Sequence, residues 1–151
     1  MKDKQLIVNA IKNGTVIDHI PAKSLFKVIS ILGLQDINNQ ITFGTGLESK
    51  KLGSKAIIKI ADKYFLDEEI NKIALVAPQA KLNIIRDFEV IEKRVVEVPD
   101  SIQGIVKCVN PKCITNNENI RTKFTVVSKN EVALKCHYCE KITDQDRIVI
   151  I

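Results

Sequence analysis

The sequence contains no tryptophan, and aromatics make up only 5% of its 151 residues. So thin a supply argues against a stacking platform for single-stranded nucleic acid. Histidine occurs only at His19 and His137, which leaves little from which to build an acid–base or nucleophilic site. No paired carboxylates stand beside either histidine in a catalytic pattern, so the chain is not expected to be an enzyme. The stretch FGTG lacks the Lys-Ser/Thr that would follow in a phosphate loop of Walker type. No apolar run approaches the ~20 residues of a bilayer-spanning helix. The opening MKDKQLIVNAIKNG lacks the apolar core and cleavage site of a signal peptide. A cytoplasmic protein without a membrane partner is therefore expected, in a compartment where thiols stay reduced.

What is present is a globular composition, 45% hydrophobic and 27% charged, long enough for one ordinary domain or two small ones. The net charge of +5 permits an anionic partner. The lysines are dispersed, however, and a solvated surface accounts for most of them.

Cysteine is absent from the first 107 residues and then appears four times, as Cys108, Cys113, Cys136 and Cys139. The spacings are C-x4-C and C-x2-C, with 22 residues between the pairs. Two short loops that each present two sulfurs can converge on one tetrahedral ion, and four thiolates suit a structural Zn²⁺. Disulfides and an iron site are the alternatives. Lys107, Lys112, Lys135 and Lys141 flank the cysteines and are expected to favour thiolates. His137 lies inside the x2 knuckle and reads as an exposed loop residue. With four cysteines filling four positions, no open position remains for a catalytic water.

Pattern along the chain gives strand, strand, helix, strand, strand, helix, strand. KQLIVNAI and GTVIDHI read as strands with a turn signal at Asn13-Gly14. PAKSLFKVISILG places Ala22, Leu25, Ile29 and Leu32 on one helical face, with Gly33 as its stop. QITFGTG and KAIIKIA read as strands. DEEINKIALVA reads as a helix capped at Asp67 with Glu68 and Glu69 and ended by Pro78. KLNIIRDFEVIEKRVVEV alternates through one or two strands. This order implies an α+β two-layer sandwich, an antiparallel-rich sheet with two helices on the ferredoxin-like, split βαβ plan. VPDSIQG breaks the pattern and sets a boundary near Pro99, giving domains 1–98 and 99–151. The second reads as a small all-β module with strands around Ile105, TKFTVV, EVALK and RIVII. Its core is small enough that a metal would help hold it.

Asp18 and His19 are adjacent in a strand, where neighbours face opposite sides, so no simple orienting pair is expected. Lys59 and Lys93 lie in or beside strands and point to solvent or to a ligand. If they converge with His19 they can hold a polyphosphate.

GTVIDHIPA, KIALVAPQAKLNIIRDFEV and ALKCHYCE closely resemble the regulatory chain of aspartate carbamoyltransferase, in matching order along essentially the whole chain. The resemblance implies an N-terminal domain that binds nucleotides and pairs into a regulatory dimer. It implies a C-terminal zinc domain that contacts a separate catalytic chain, in an assembly of six catalytic and six regulatory chains. CTP, sometimes with UTP, inhibits such assemblies and ATP activates them. Carried over by motif, Asp18 and His19 fall on ribose- and phosphate-side positions, Lys59 near ribose and base, and Lys55 and Lys93 on phosphate-side positions. Val8, Ile11, Val16, Asn83, Ile85 and Val90 match pocket positions, and the four cysteines match the zinc ligands. Asn9 stands where an acidic residue is expected and Phe88 where a tyrosine is expected, which bears on how CTP and ATP are ranked. The competing reading from composition and cysteine pairs is a nucleic-acid-binding zinc ribbon fused to a dimerisation domain.

Overall fold

A computed structural model describes residues 10–151 of the chain. Most of the first expected strand, together with Val8 and Asn9, lies outside the described residues. The first described strand, β1 (Gly14–Pro21), is followed by a 3-10 turn (Ala22–Ser24) and α1 (Leu25–Ile31). Then come β2 (Ile41–Ser49), β3 (Gly53–Ala61), α2 (Asp67–Asn71), β4 (Lys81–Arg86) and β5 (Glu89–Val95). The strands form one five-stranded sheet in the order β2-β3-β1-β4-β5, and every neighbouring pair is antiparallel. β1 to β4 with their two helices follow the expected split βαβ plan, and β5 extends the sheet at one edge.

Alternation explains which sheet face the helices cover. Ile17, Ile58, Ile60 and Leu82 are completely buried, and α1 and α2 add Leu25, Val28 and Ile70 to the same core. On α1 the most buried residues are Leu25 and Val28, while Ala22, Ile29 and Leu32 are only half-buried. Gly33 ends this segment in the left-handed region at φ 65°, as a helix stop requires. Gly14 opens β1 at φ 137°, and a Cβ there would sit 2.1 Å from the Ile60 carbonyl oxygen, so only glycine fits.

The start of α2 differs in detail from expectation. Leu66 occupies the N-cap position, and its N–H donates to the Glu69 carboxylate at 2.9 Å. Asp67 is the first helical residue and pairs with Arg94 Nη1 at 2.9 Å. A 3-10 turn (Lys72–Leu75) continues the helix, and Pro78 follows it.

The second sheet has the order β6-β7-β8-β9, from β6 (Ser101–Gln103), β7 (Lys123–Ser128), β8 (Ala133–Cys136) and β9 (Ile142–Asp144). A short helix, α3 (Ile114–Asn117), lies between β6 and β7. β6 falls inside VPDSIQG, where the sequence pattern predicts a break. The segments around Ile105 and RIVII form no regular strand, but they do pair with each other. Val106 bridges Ile150, and the N–H groups of Lys107 and Ile151 donate to Val149 and Ile105 at 2.9 Å each. Phe124, Leu134, Val106 and Ile148 form the small buried centre.

Candidate functional site

The outer face of the first sheet, away from the helices, brings together most of the expected ligand residues. Directly opposed residues on neighbouring strands share a face. Val16 opposes Lys59 on one side and Asn83 on the other, and Asn83 opposes Lys93. Lys59, Val16, Asn83 and Lys93 therefore form one row across β3, β1, β4 and β5, about 14 Å long at ~4.8 Å per strand. On one side of this row Ile85 opposes Val90. The two-residue turn at Asp87-Phe88 closes that end. Both residues have positive φ, 51° and 67°, as a two-residue hairpin of matching twist requires. The turn is tied to the segment before β1: the Phe88 N–H donates to the Lys12 carbonyl at 2.9 Å, and the Asp87 N–H to Asn13 Oδ1 at 3.1 Å. This brings exposed Phe88 beside the segment that carries Ile11, so this end of the face is apolar.

The other end is charged, and here the expectation for Asp18 and His19 fails. β1 carries an irregularity between Ile17 and Ile20, with His19 at φ 61°. The extra residue lets Ile17 and Ile20 both enter the core, and it turns Asp18 and His19 out together. The Asp18 carboxylate accepts the His19 backbone N–H at 2.6 Å and lies 3.7 Å from His19 Nδ1. Its other principal contact is Lys55 Nζ, at 2.9 Å. His19 Nδ1 is buried without a hydrogen-bond partner among the described residues. Burial pushes the Lys59 ammonium below the usual lysine range, and the charge of Asp18 pulls it partly back.

Asp18, His19, Asn83 and Lys93 line a cavity of about 450 Å³ together with Lys81, Arg94 and Val95. Sequence reasoning missed Lys81, which opposes Asp18 directly across β1 and β4. Counting back two residues from Asn83 would have placed it on the same face. Arg94 lines the cavity as well, but its guanidinium is held by Glu92 at 2.6 Å and Asp67 at 2.9 Å. A face with an apolar end, lysines on three strands and one carboxylate beside a histidine can take a ligand with a flat apolar part and an anionic tail.

The four cysteines also converge. Their sulfurs lie within 4.8 Å of one another, with Cys108–Cys139 at 3.5 Å and Cys113–Cys136 at 3.7 Å. These separations are too long for disulfides, which need about 2.05 Å. They approach the ~3.8 Å between sulfurs that a tetrahedral site with ~2.3 Å metal–sulfur bonds demands. The donor set therefore fits a tetrahedral thiolate-bound ion. Asn116 Nδ2 bonds the Cys108 and Asn110 carbonyls at 2.9 and 2.7 Å, which fixes the x4 loop. Glu140, at φ 63°, returns its N–H to the Cys136 carbonyl at 3.0 Å and closes the x2 knuckle.

Burial, followed by the neighbouring sulfurs, pushes the Cys108 thiol up to about 12. Burial also opposes the Cys139 thiolate, yet the Lys141 N–H, the Asn110 side chain and the adjacent thiols bring it down to about 7. Of the four flanking lysines, Lys135 pairs with Glu140 at 3.3 Å. Holding several thiolates this close calls for a cation among them. His137 is exposed and packs edge-on against Tyr138, outside the sulfur cluster.

Comparison with known proteins covers both halves. Residues 6–97 match the family model of the aspartate carbamoyltransferase regulatory chain, allosteric domain, and residues 100–149 match that of its metal binding domain. Similar curated proteins bear the name aspartate carbamoyltransferase regulatory chain. One from Bacteroides fragilis is 59% identical over 151 residues, covering 99% of each chain. One from Porphyromonas gingivalis is 54% identical over 151 residues, covering 100% of each. One from Pyrococcus horikoshii is 53% identical over 147 residues, covering 96% of this chain and 97% of its own.

Proposed function

Because the chain belongs to the family of aspartate carbamoyltransferase regulatory chains, a non-catalytic subunit, we propose that it controls a separate catalytic chain through nucleotides bound on the outer face of its first sheet. The observation that carries this reading is the row Lys59, Val16, Asn83 and Lys93, flanked by Ile85 and Val90 on one side and by Asp18, His19 and Lys55 on the other.

The ligands are CTP and ATP, with UTP as a further effector. The base lies at the apolar end, against Ile11, Ile85, Phe88 and Val90; Val8 and Asn9, which lie outside the described residues, are matched to the same pocket by motif alone. The ribose lies near Asp18 and Lys59. The phosphates lie against His19, Lys55 and Lys93, where ammonium groups make strong charge-assisted bonds to phosphate oxygens. Asp18 holds Lys55 in place and accepts the His19 backbone N–H.

The division of labour follows the two sheets. Residues 1–98 bind nucleotide and pair with a second regulatory chain. Residues 99–151 contact the catalytic chain. Cys108, Cys113, Cys136 and Cys139 hold one structural Zn²⁺, whose contribution is to fix the loops of this small domain. The complete assembly has six catalytic and six regulatory chains and works in the cytoplasm. Among the described residues no helix is long and apolar enough to cross a membrane. A nucleotide changes catalysis only by binding two quaternary states unequally, and ~1–3 kcal/mol of coupling is the usual range. The nucleic-acid-binding alternative is not favoured, since both halves match domains of the regulatory chain.

The test is reconstitution with aspartate carbamoyltransferase catalytic chains. The wild type is expected to assemble and to make activity respond to CTP and ATP. Cys139→Ser is expected to lose assembly while still binding nucleotide. Normal assembly of Cys139→Ser would remove the role given to the metal.

A further inference from the structure

A second cavity, of about 460 Å³, lies between the two domains. The first domain lines it with Lys23, Lys27 and Lys51, and the second with Gln145 and Asp146. Both second-domain residues belong to the 3-10 turn Gln145–Arg147 that follows β9. This turn joins the domains by two side-chain contacts. Gln145 Nε2 donates to the Leu75 carbonyl at 3.1 Å, and Asp146 Oδ1 pairs with Lys23 Nζ at 3.1 Å.

The charges in this cleft do not balance. Three lysines and one carboxylate line it. Among the described residues Lys27 and Lys51 have no ion-pair partner. The one pair present is weak, because both side chains are largely exposed, 74% and 79%. The cleft is also continuous with the outer-face site. A groove lined by His19, Lys51, Pro78, Gln79 and Lys81 shares Lys51, Pro78 and Gln79 with the cleft, and shares His19 and Lys81 with the outer-face cavity. On the chain, Lys23 lies only four residues beyond His19.

We propose that the cleft between the domains is a second anion site, for a phosphate or pyrophosphate group held by Lys23, Lys27 and Lys51, and that its occupation draws Lys23 away from Asp146. A multivalent anion satisfies both unpaired ammonium groups and competes with a solvent-screened carboxylate for the third. Release of Asp146 leaves the Gln145 bond as the remaining side-chain tie of this turn to the first domain, so the joint loosens.

The probe is inorganic pyrophosphate, titrated calorimetrically into the full-length chain at low ionic strength. In Lys59→Ala/Lys93→Ala, which disables the outer-face site, one saturable event is expected to remain. Adding Lys27→Ala/Lys51→Ala is expected to weaken that event at least tenfold. These are surface changes, and Lys27→Ala/Lys51→Ala alone should leave CTP binding unchanged, which verifies folding. Asp146→Asn is expected to tighten pyrophosphate binding about two- to fivefold, because the competing carboxylate is gone. Loss of all pyrophosphate binding in Lys59→Ala/Lys93→Ala would overturn the second site while leaving the nucleotide reading intact. Unchanged or weaker binding in Asp146→Asn would overturn the competition for Lys23.

Discussion

The two domains of this chain solve the problem of staying folded in different ways. The first lays two helices on a five-stranded sheet and buries isoleucine, leucine and valine from β1, β3, β4 and both helices. That core leaves the opposite face free to carry lysines, a histidine and a carboxylate. The second has four short strands and few large buried side chains, and it gathers four sulfurs at its loops. The difference teaches where function can reside. A domain with its own apolar core can expose a polar face for a ligand. A domain that depends on a metal uses its best donors for structure.

The sharpest way to break this comparison is to remove the metal. Treatment with a strong chelator, or Cys136→Ser, is expected to unfold the second domain, as loss of a structural zinc does in small domains. The first domain should keep its sheet signals. Parallel NMR assignment of the two halves would read this directly, and simultaneous collapse of both would show that the domains are not energetically separate.

Next in size is the ligand face. A charged hydrogen bond from a lysine to a bound nucleotide is worth ~1.5–3 kcal/mol. Lys59→Ala/Lys93→Ala should therefore weaken nucleotide binding about 100-fold or more. Lys81→Ala, which removes the cation opposite Asp18, should cost less, about tenfold, with CTP and ATP affected alike because this lysine lies at the charged end of the face, away from the apolar end. A core truncation gives the matching control on the other side of the sheet. Ile58→Ala is expected to cost ~2–5 kcal/mol of first-domain stability while leaving metal content at one ion per chain.

Smaller effects refine the account. Phe88→Tyr adds a hydroxyl at the apolar end of the face, and Asn9→Asp exchanges an amide for a carboxylate. They should change the ratio of CTP to ATP affinity by roughly two- to tenfold, read by competition titration. The smallest effect lies near the domain boundary. Lys129 Nζ sits 2.6 Å from Asp100 Oδ1, and this hydrogen bond, then its charge, holds the Asp100 carboxyl below its ordinary range. A depressed folded-state value means that the contribution is present above the unfolded aspartate range near ~3.9 and is lost as pH falls further. Thermal melts between pH 5 and pH 3 should show a slightly steeper loss for the wild type than for Lys129→Met.

Much of the fold was legible because apolar spacing reports which face is buried. Alternation in KAIIKIA marks β3, and the acidic start and Pro78 bracket α2. The cysteine spacings pointed to convergence of the sulfurs. The bulge in β1 was not readable by alternation, because alternation puts Asp18 and His19 on opposite faces. The only trace is that two isoleucines three apart, Ile17 and Ile20, both need the core. The β4–β5 turn was obscured because Asp87 and Phe88 hold positive φ without a glycine to announce it. In the second domain, pairing between distant short segments decides the strands. β6 could therefore form within VPDSIQG, while the segments around Ile105 and Ile150 pair without a regular strand.

The central claim is that nucleotides bind the outer face of the first sheet. Its most direct test is calorimetric titration of CTP and ATP into the purified chain, beside Lys59→Ala/Lys93→Ala. Saturable binding of both nucleotides that the double variant loses is the predicted result. Binding of the same strength in the double variant would contradict the claim.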